Sequence, residues 1–124
     1  MGVANFLVDG MNVIGSRPDG WWRDRPGAMR ALVRSLAEIG ARSSDEFTVV
    51  FDGRPVEMGE ASAIRVVFAP GGPNAADEEL LRILRAEPDA GFRVVTSDTA
   101  LAEAARAEGA EVVASGTFRR HIGI

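Results

Sequence analysis

The chain has 124 residues and a formal net charge of −4, with no Cys, no Lys, 14 basic residues that are all Arg, and a single His, His121. That length suits one domain, 1–124, with a core of its own, and the lack of Cys removes disulfide frameworks, thiolate zinc sites and a cysteine nucleophile while fitting a reducing compartment. Without Lys there is no Walker-type phosphate loop and no phosphoacceptor receiver chemistry, and one terminal His leaves no histidine pair and a poor prospect of a Ser-His-Asp triad, so the remaining chemistry is that of carboxylates.

Residues 4–8, Ala-Asn-Phe-Leu-Val, read as a strand buried on both faces that ends at Asp9, with the turn formers Gly10 and Asn12 behind it. Because Asp9 breaks the apolar run so early, neither a signal peptide nor a membrane span is expected, and the reading is a cytoplasmic protein with no membrane contact. The loop from Gly15 to Arg25 carries Trp21 and Trp22 among Arg17, Arg23 and Arg25. Two adjacent indoles cannot easily face one core, so either one stacks on an unpaired base or the pair forms an apolar lid or a dimer contact. Pro26 suits a first helical position, Ala28, Met29, Leu32, Val33, Leu36 and Ile39 recur at helical spacing, and Gly40 reads as the stop, giving a helix over about 26–39.

A second strand over 47–51 ends at Asp52. The stretch 53–63 is too short for a full helical crossover, which makes the next strand, 64–68, an edge strand. The turn Pro70-Gly71-Gly72-Pro73 leads to a helix over about 75–86 with Asn74 as a natural N-cap. A strand over 92–96, a helix over about 99–108 stopped by Gly109, and a strand over 111–114 complete the chain. Strand and helix alternate, so the fold class is α/β, with a mostly parallel sheet flanked by helices on both faces.

In such a sheet the C-terminal strand ends border the ligand crevice. Asp9, Asp52 and Asp98 all stand there, with Asp77 at the start of a helix, and an oxygen-rich group of this kind suits Mg²⁺ or Mn²⁺. Each also has an ordinary role: Asp9 as a turn former, Asp98 as a helix N-cap, and Asp77 as the second half of a capping box opened by Asn74. Helical spacing nonetheless places Asp77 with Leu80, Leu81 and Leu84 on the face turned to the sheet, which capping alone does not require. Glu79 is expected to pair with Arg82 on the solvent side. Residues 1–42 hold six Arg against four acids, net +2, while 43–124 hold eight against 14, net −6, so any grip on a polyanion is local.

The segments Val8-Asp9-Gly10-Met11-Asn12-Val13-Ile14-Gly15, Val49-Val50-Phe51-Asp52-Gly53, Phe68-Ala69-Pro70-Gly71-Gly72-Pro73-Asn74-Ala75-Ala76-Asp77-Glu78 and Val94-Val95-Thr96-Ser97-Asp98 together resemble the YacP-like branch of the NYN family, ribonucleases of PIN-like fold. The resemblance spans nearly the whole chain. It implies a three-layer fold around a five-stranded sheet and a metal-dependent endoribonuclease, with RNA as substrate; the weak overall grip on a polyanion points to a protein or ribonucleoprotein as a further partner. Carried onto this sequence, it implies Asp9, Asn12, Asp77 and Asp98 as catalytic residues, with Asn12 near the scissile phosphate. Asp9, Asp77 and Asp98 would hold Mg²⁺ or Mn²⁺, with Asp52 and Glu78 as further candidates. Trp21, Trp22, Arg17, Arg23 and Arg25 are the candidate RNA contacts. The rival expectation is a PIN-like module without activity that docks on RNA or protein through the Trp-Arg loop. A phosphatase of the haloacid dehalogenase type would want Asp-x-Asp after the first strand, where this chain has Met11 and Asn12 behind Asp9.

Overall fold

The computed structural model describes residues 3–59 and 64–124. Among them five strands form one parallel sheet: β1 (Asn5–Asp9), β2 (Glu46–Asp52), β3 (Ile64–Ala69), β4 (Phe92–Val95) and β5 (Glu111–Val113), in the spatial order β3-β2-β1-β4-β5. The helices are α1 (Gly10–Gly15), α2 (Arg25–Ser43), α3 (Ala75–Ala86), α4 (Thr99–Ala107) and α5 (Ser115–Ile122). β1 lies at the centre, and the chain runs to one side of it through β2 and β3 and to the other through β4 and β5. The β1–β4 junction is therefore the topological switch point, where a crevice opens.

Two-residue alternation along the strands divides the core into two layers. Phe6, Val8, Phe47, Val49, Phe51 and Val95 face one side, where they meet Val13 and Ile14 of α1, Met29, Leu32, Val33 and Leu36 of α2, and Phe118 of α5. Leu7, Val50 and Val94 face the other, against Leu80, Ile83 and Leu84 of α3 and Leu101 and Ala105 of α4. In register, Phe6 sits opposite Phe47, and their rings stack at 5.4 Å with Phe118 tilted onto Phe6 at 5.2 Å. This is the three-layer arrangement that the alternation of strands and helices predicts, and β3 is an edge strand as expected. The described part of the connection before it, 53–59, contains no helix; Val56 and Met58 lean on the α2 side of the core, and Arg30 Nε donates to the Glu57 carbonyl at 2.9 Å. Residues 60–63 of that connection lie outside the described residues.

Three local readings need correction. α2 does not stop at Gly40 but continues to Ser43, where Ser44 takes the left-handed conformation at φ 65° and its N–H bonds back to the Gly40 carbonyl. Gly40 is there for space: a Cβ would stand 3.2 Å from the Asp45 carbonyl oxygen and against the Phe47 ring. The turn expected after Asp9 is instead the short helix α1, whose first residue must be glycine because any Cβ at Gly10 would collide with the Phe51 ring. The C-terminal helix α5 has no counterpart in the sequence reading, since one buried aromatic, Phe118, is too little for a periodic signal.

Candidate active site

Asp9 ends the central strand and is 7% exposed, and the backbone turns directly from it into α1. Its Oδ2 accepts from the Thr96 hydroxyl at 2.9 Å, and Thr96 Oγ1 in turn accepts the Asp98 N–H at 3.1 Å. One hydroxyl thus links the ends of β1 and β4. Asp98 accepts the Leu101 N–H at 2.8 Å, so the N-cap role is real, yet its exposed side chain also borders the crevice.

Asp52 occupies the corresponding end of β2 and accepts the Ala76 N–H at 3.1 Å, capping α3 from a neighbouring strand. This displaces the capping box. Asn74 sits in the left-handed region at φ 66° and makes no side-chain cap, so Asp77 is not the partner of Asn74 that the spacing suggested. Asp77 is half-buried and turned to the crevice instead. Asp9, Asp52, Asp77 and Asp98, with Asn12, Asn74 and Met11, line one open cleft of about 310 Å³.

The cleft's electrostatics follow from crowding acids where water is scarce. Burial pushes the Asp9 carboxyl up to about 6 from 3.8; the Thr96 hydrogen bond opposes that rise, and the charges of Asp77 and Asp52 add to it. Asp77 is likewise raised, first by burial and then by Asp98, Asp52 and Glu78. The ion pairs of the described residues, Arg65–Glu87, Arg82–Glu79, Arg85–Glu108 and Arg93–Glu111, include none of the four aspartates. Carboxylate oxygens without a cationic partner are a donor set for hard divalent ions. As the side chains stand, no group of three or more His, Asp or Glu among the described residues is arranged to hold one ion together. An ion in such a cleft would keep water in several of its positions, the usual habit of Mg²⁺.

Asn12 Oδ1 accepts the Ser97 N–H at 2.8 Å and the Ser115 hydroxyl at 2.6 Å. The other expected residues divide. Glu79 pairs with Arg82 as predicted, and Glu78 lines a separate groove beside β3 with both of them. Arg25 donates to the Asp52 carbonyl at 2.8 Å and so stands next to the acids. Trp22 is 56% exposed, with the Arg23 guanidinium 5.9 Å from its ring centre. Trp21 is half-buried against the α2 side of the core and lines a second cavity with Arg17 and Arg119. Arg17 is also tied to the Ile124 carbonyl. The two indoles meet edge to face at 6.0 Å, one serving as lid and one facing solvent.

Sequence reading passed over Thr96, Ser97 and Ser115. Thr96 and Ser97 could have been suspected from standing directly before Asp98, whereas nothing in the sequence marks Ser115.

The family model of the YacP-like NYN domain matches residues 6–123, a span that includes Asp9, Asn12, Asp52, Asp77 and Asp98. The chain belongs to this family. Crystal structures of Rae1 (YacP) from Bacillus subtilis are similar to the NYN domain described here. A mutant form gives a TM-score of 0.80 at 24% identity, covering 96% of this chain and 74% of that one. The other gives 0.78 at 24% identity, covering 99% and 74%. No curated protein matches the chain. Among the described residues no helix is long and apolar enough to cross a membrane.

Proposed function

We propose that this YacP-like NYN domain is a metal-dependent endoribonuclease. The observation that carries the reading is the cleft itself: four aspartates from β1, β2, α3 and the β4–α4 junction border one space, with no arginine in ion-pair contact with any of them among the described residues. Asp9, Asp77 and Asp98 are the residues that would hold Mg²⁺ or Mn²⁺, with Asp52 beside them. A divalent ion supplies two things to phosphodiester hydrolysis, neutralisation of charge on the phosphate and a lowered pKa for water, and neither needs a histidine.

The chain's own residues do the rest. Asp9, fixed by Thr96, provides a rigid carboxylate at the floor of the cleft. Asp98 is held by its capping bond and Asp52 by the α3 N-terminus, so the acids keep their spacing without rotamer freedom to lose. Arg25 beside the Asp52 carbonyl and the exposed Trp22 provide a cation and a stacking surface for a single strand on the α1 side. The products expected of such hydrolysis are 5′-phosphate and 3′-hydroxyl ends. With residues 43–124 at net −6, a protein or ribonucleoprotein partner is the natural source of further grip on RNA.

The test is cleavage of single-stranded RNA by purified protein with Mg²⁺ or Mn²⁺, its loss in chelator, and its loss in Asp9→Asn. Cutting by Asp9→Asn at the wild-type rate sinks the assignment. The rival reading is a module without activity, and the observation on its side is the exposed Trp22 ring with the Arg23 guanidinium beside it. That reading expects RNA bound through the Trp22 loop and left intact whatever metal is added.

A further inference from the structure

Asn12 reaches the cleft through a side chain whose two ends have different freedom. Its carbonyl oxygen has two lone pairs, and both are taken, one by the Ser97 N–H at 2.8 Å and the other by the Ser115 hydroxyl at 2.6 Å. Its amide nitrogen has two N–H donors and no protein acceptor among the described residues. No side-chain nitrogen or oxygen that is buried there lacks a partner, so this nitrogen is within reach of solvent and of whatever enters the cleft. A backbone N–H can only donate, so the orientation of the amide follows from the network itself.

We propose that Ser115 is a positioning residue for Asn12: by holding the amide oxygen, it turns the –NH₂ group into the cleft as a donor to an anionic phosphate oxygen and withholds Asn12 from the cation. This rests on the ribonuclease reading and adds to it the division of labour at the site, carboxylates for the ion and the Asn12 amide for the substrate anion. The geometry supports the arrangement from both sides. Ser115 is fully buried at the first position of α5, and its own N–H donates to Ser97 Oγ at 2.9 Å. One hydroxyl from α5 and one backbone N–H from the β4–α4 connection thus converge on one oxygen, while the core aromatic Phe118, one turn along α5, anchors the helix that carries Ser115. A metal-ligating role for the oxygen would require at least one of these hydrogen bonds to break.

The experiment is binding of a fluorescein-labelled single-stranded oligoribonucleotide, read by anisotropy in Ca²⁺ to hold cleavage back, alongside Mn²⁺ affinity read by electron paramagnetic resonance without RNA. Asn12→Ala should weaken RNA roughly tenfold or more, the loss of a hydrogen bond to a charged group, and Ser115→Ala roughly threefold to tenfold. The double variant should be no weaker than Asn12→Ala alone, because Ser115 acts only through Asn12. Mn²⁺ affinity should stay within about twofold throughout, as a loosened fold would not allow. Asn12→Asp keeps both acceptors for Ser97 and Ser115 but replaces the donors with a further carboxylate, so it should bind RNA at least about tenfold more weakly. Wild-type RNA affinity in Asn12→Asp or Ser115→Ala, additive losses in the double variant, or a large loss of Mn²⁺ affinity in Asn12→Ala would each overturn the inference alone. A wild-type protein that neither binds nor cuts RNA would overturn the ribonuclease reading as well.

Discussion

Replacing Asp9 with Asn should make the metal-free protein more stable and the metal-loaded protein relatively less so. The Asp9 carboxyl is raised from 3.8 to about 6 by burial, with the charges of Asp77 and Asp52 adding to it against the Thr96 hydrogen bond. A folded-state pKa above the unfolded one means that the folded protein holds the proton more tightly. The associated stability is complete below about pH 3.8 and is lost as the pH rises through about 6. The gap corresponds to about 3 kcal/mol at 1.36 kcal/mol per pH unit, the penalty carried by the ionised side chain at pH 8. Asn at this position is neutral, of the same size, and still accepts from Thr96. In chelator at pH 8, Asp9→Asn should therefore be more stable by up to about 3 kcal/mol, roughly 10 °C in melting temperature for a domain of this size. At pH 4 the two proteins should melt together. Mg²⁺ should erase most of that difference, because wild type gains about 2.7 kcal/mol at a hundredfold excess over its Kd while the variant, with a carboxylate missing, gains little. Thermal melts at pH 4 and 8, each with chelator and with excess Mg²⁺, provide the assay. Equal shifts at the two pH values, or a variant less stable than wild type in chelator at pH 8, would refute the reasoning.

Asp98 combines a cap with a place in the cleft, and two substitutions separate the roles: Asp98→Asn should keep the Leu101 bond and lose RNA cleavage, while Asp98→Ala should lose cleavage and also about 1 kcal/mol of stability in denaturant melts. Trp22→Ala should weaken binding to single-stranded RNA by about 1–3 kcal/mol per stacked base, read by titration, with the melting temperature unchanged because the ring is 56% exposed. An unaltered affinity would place the RNA path elsewhere. Phe118→Ala should cost about 3–5 kcal/mol in chemical denaturation, since the ring is 1% exposed and packs on Phe6 and Phe47. A loss below about 1 kcal/mol would mean that α5 is not part of the folded core.

Where the sequence carried a repeated signal, the reading was close to the structure. The strands ending at Asp9 and Asp52 are continuous apolar runs because both faces of their sheet are covered, and 75–86 is marked by Leu80, Leu81 and Leu84 at helical spacing, although Ile83 rather than Leu81 is fully buried. α1 and α5 escaped because each rests on a few contacts with distant residues: Gly10 against Phe51 in one case, Phe118 against Phe6 and Phe47 in the other. Gly40 misled for a related reason. Glycine favours a helix end by its backbone freedom but also serves where two segments approach closely, and only the neighbouring Asp45 and Phe47 decide which applies.

The sequence alone determined that no Cys, no Lys and no histidine pair is available, that Asp9, Asp52 and Asp98 stand at or just beyond strand ends, and that the fold is a parallel sheet between helices. These follow from composition and from short-range periodicity, which are properties of neighbouring residues. Only the tertiary structure decided how each acid is used. Capping of α3 fell to Asp52 rather than Asn74, which left Asp77 to face the cleft. Ser115, 103 residues from Asn12, holds that side chain's oxygen. Hydrogen bonds that close such loops depend on strand order and register, and those are set by which faces bury apolar area together across the whole chain.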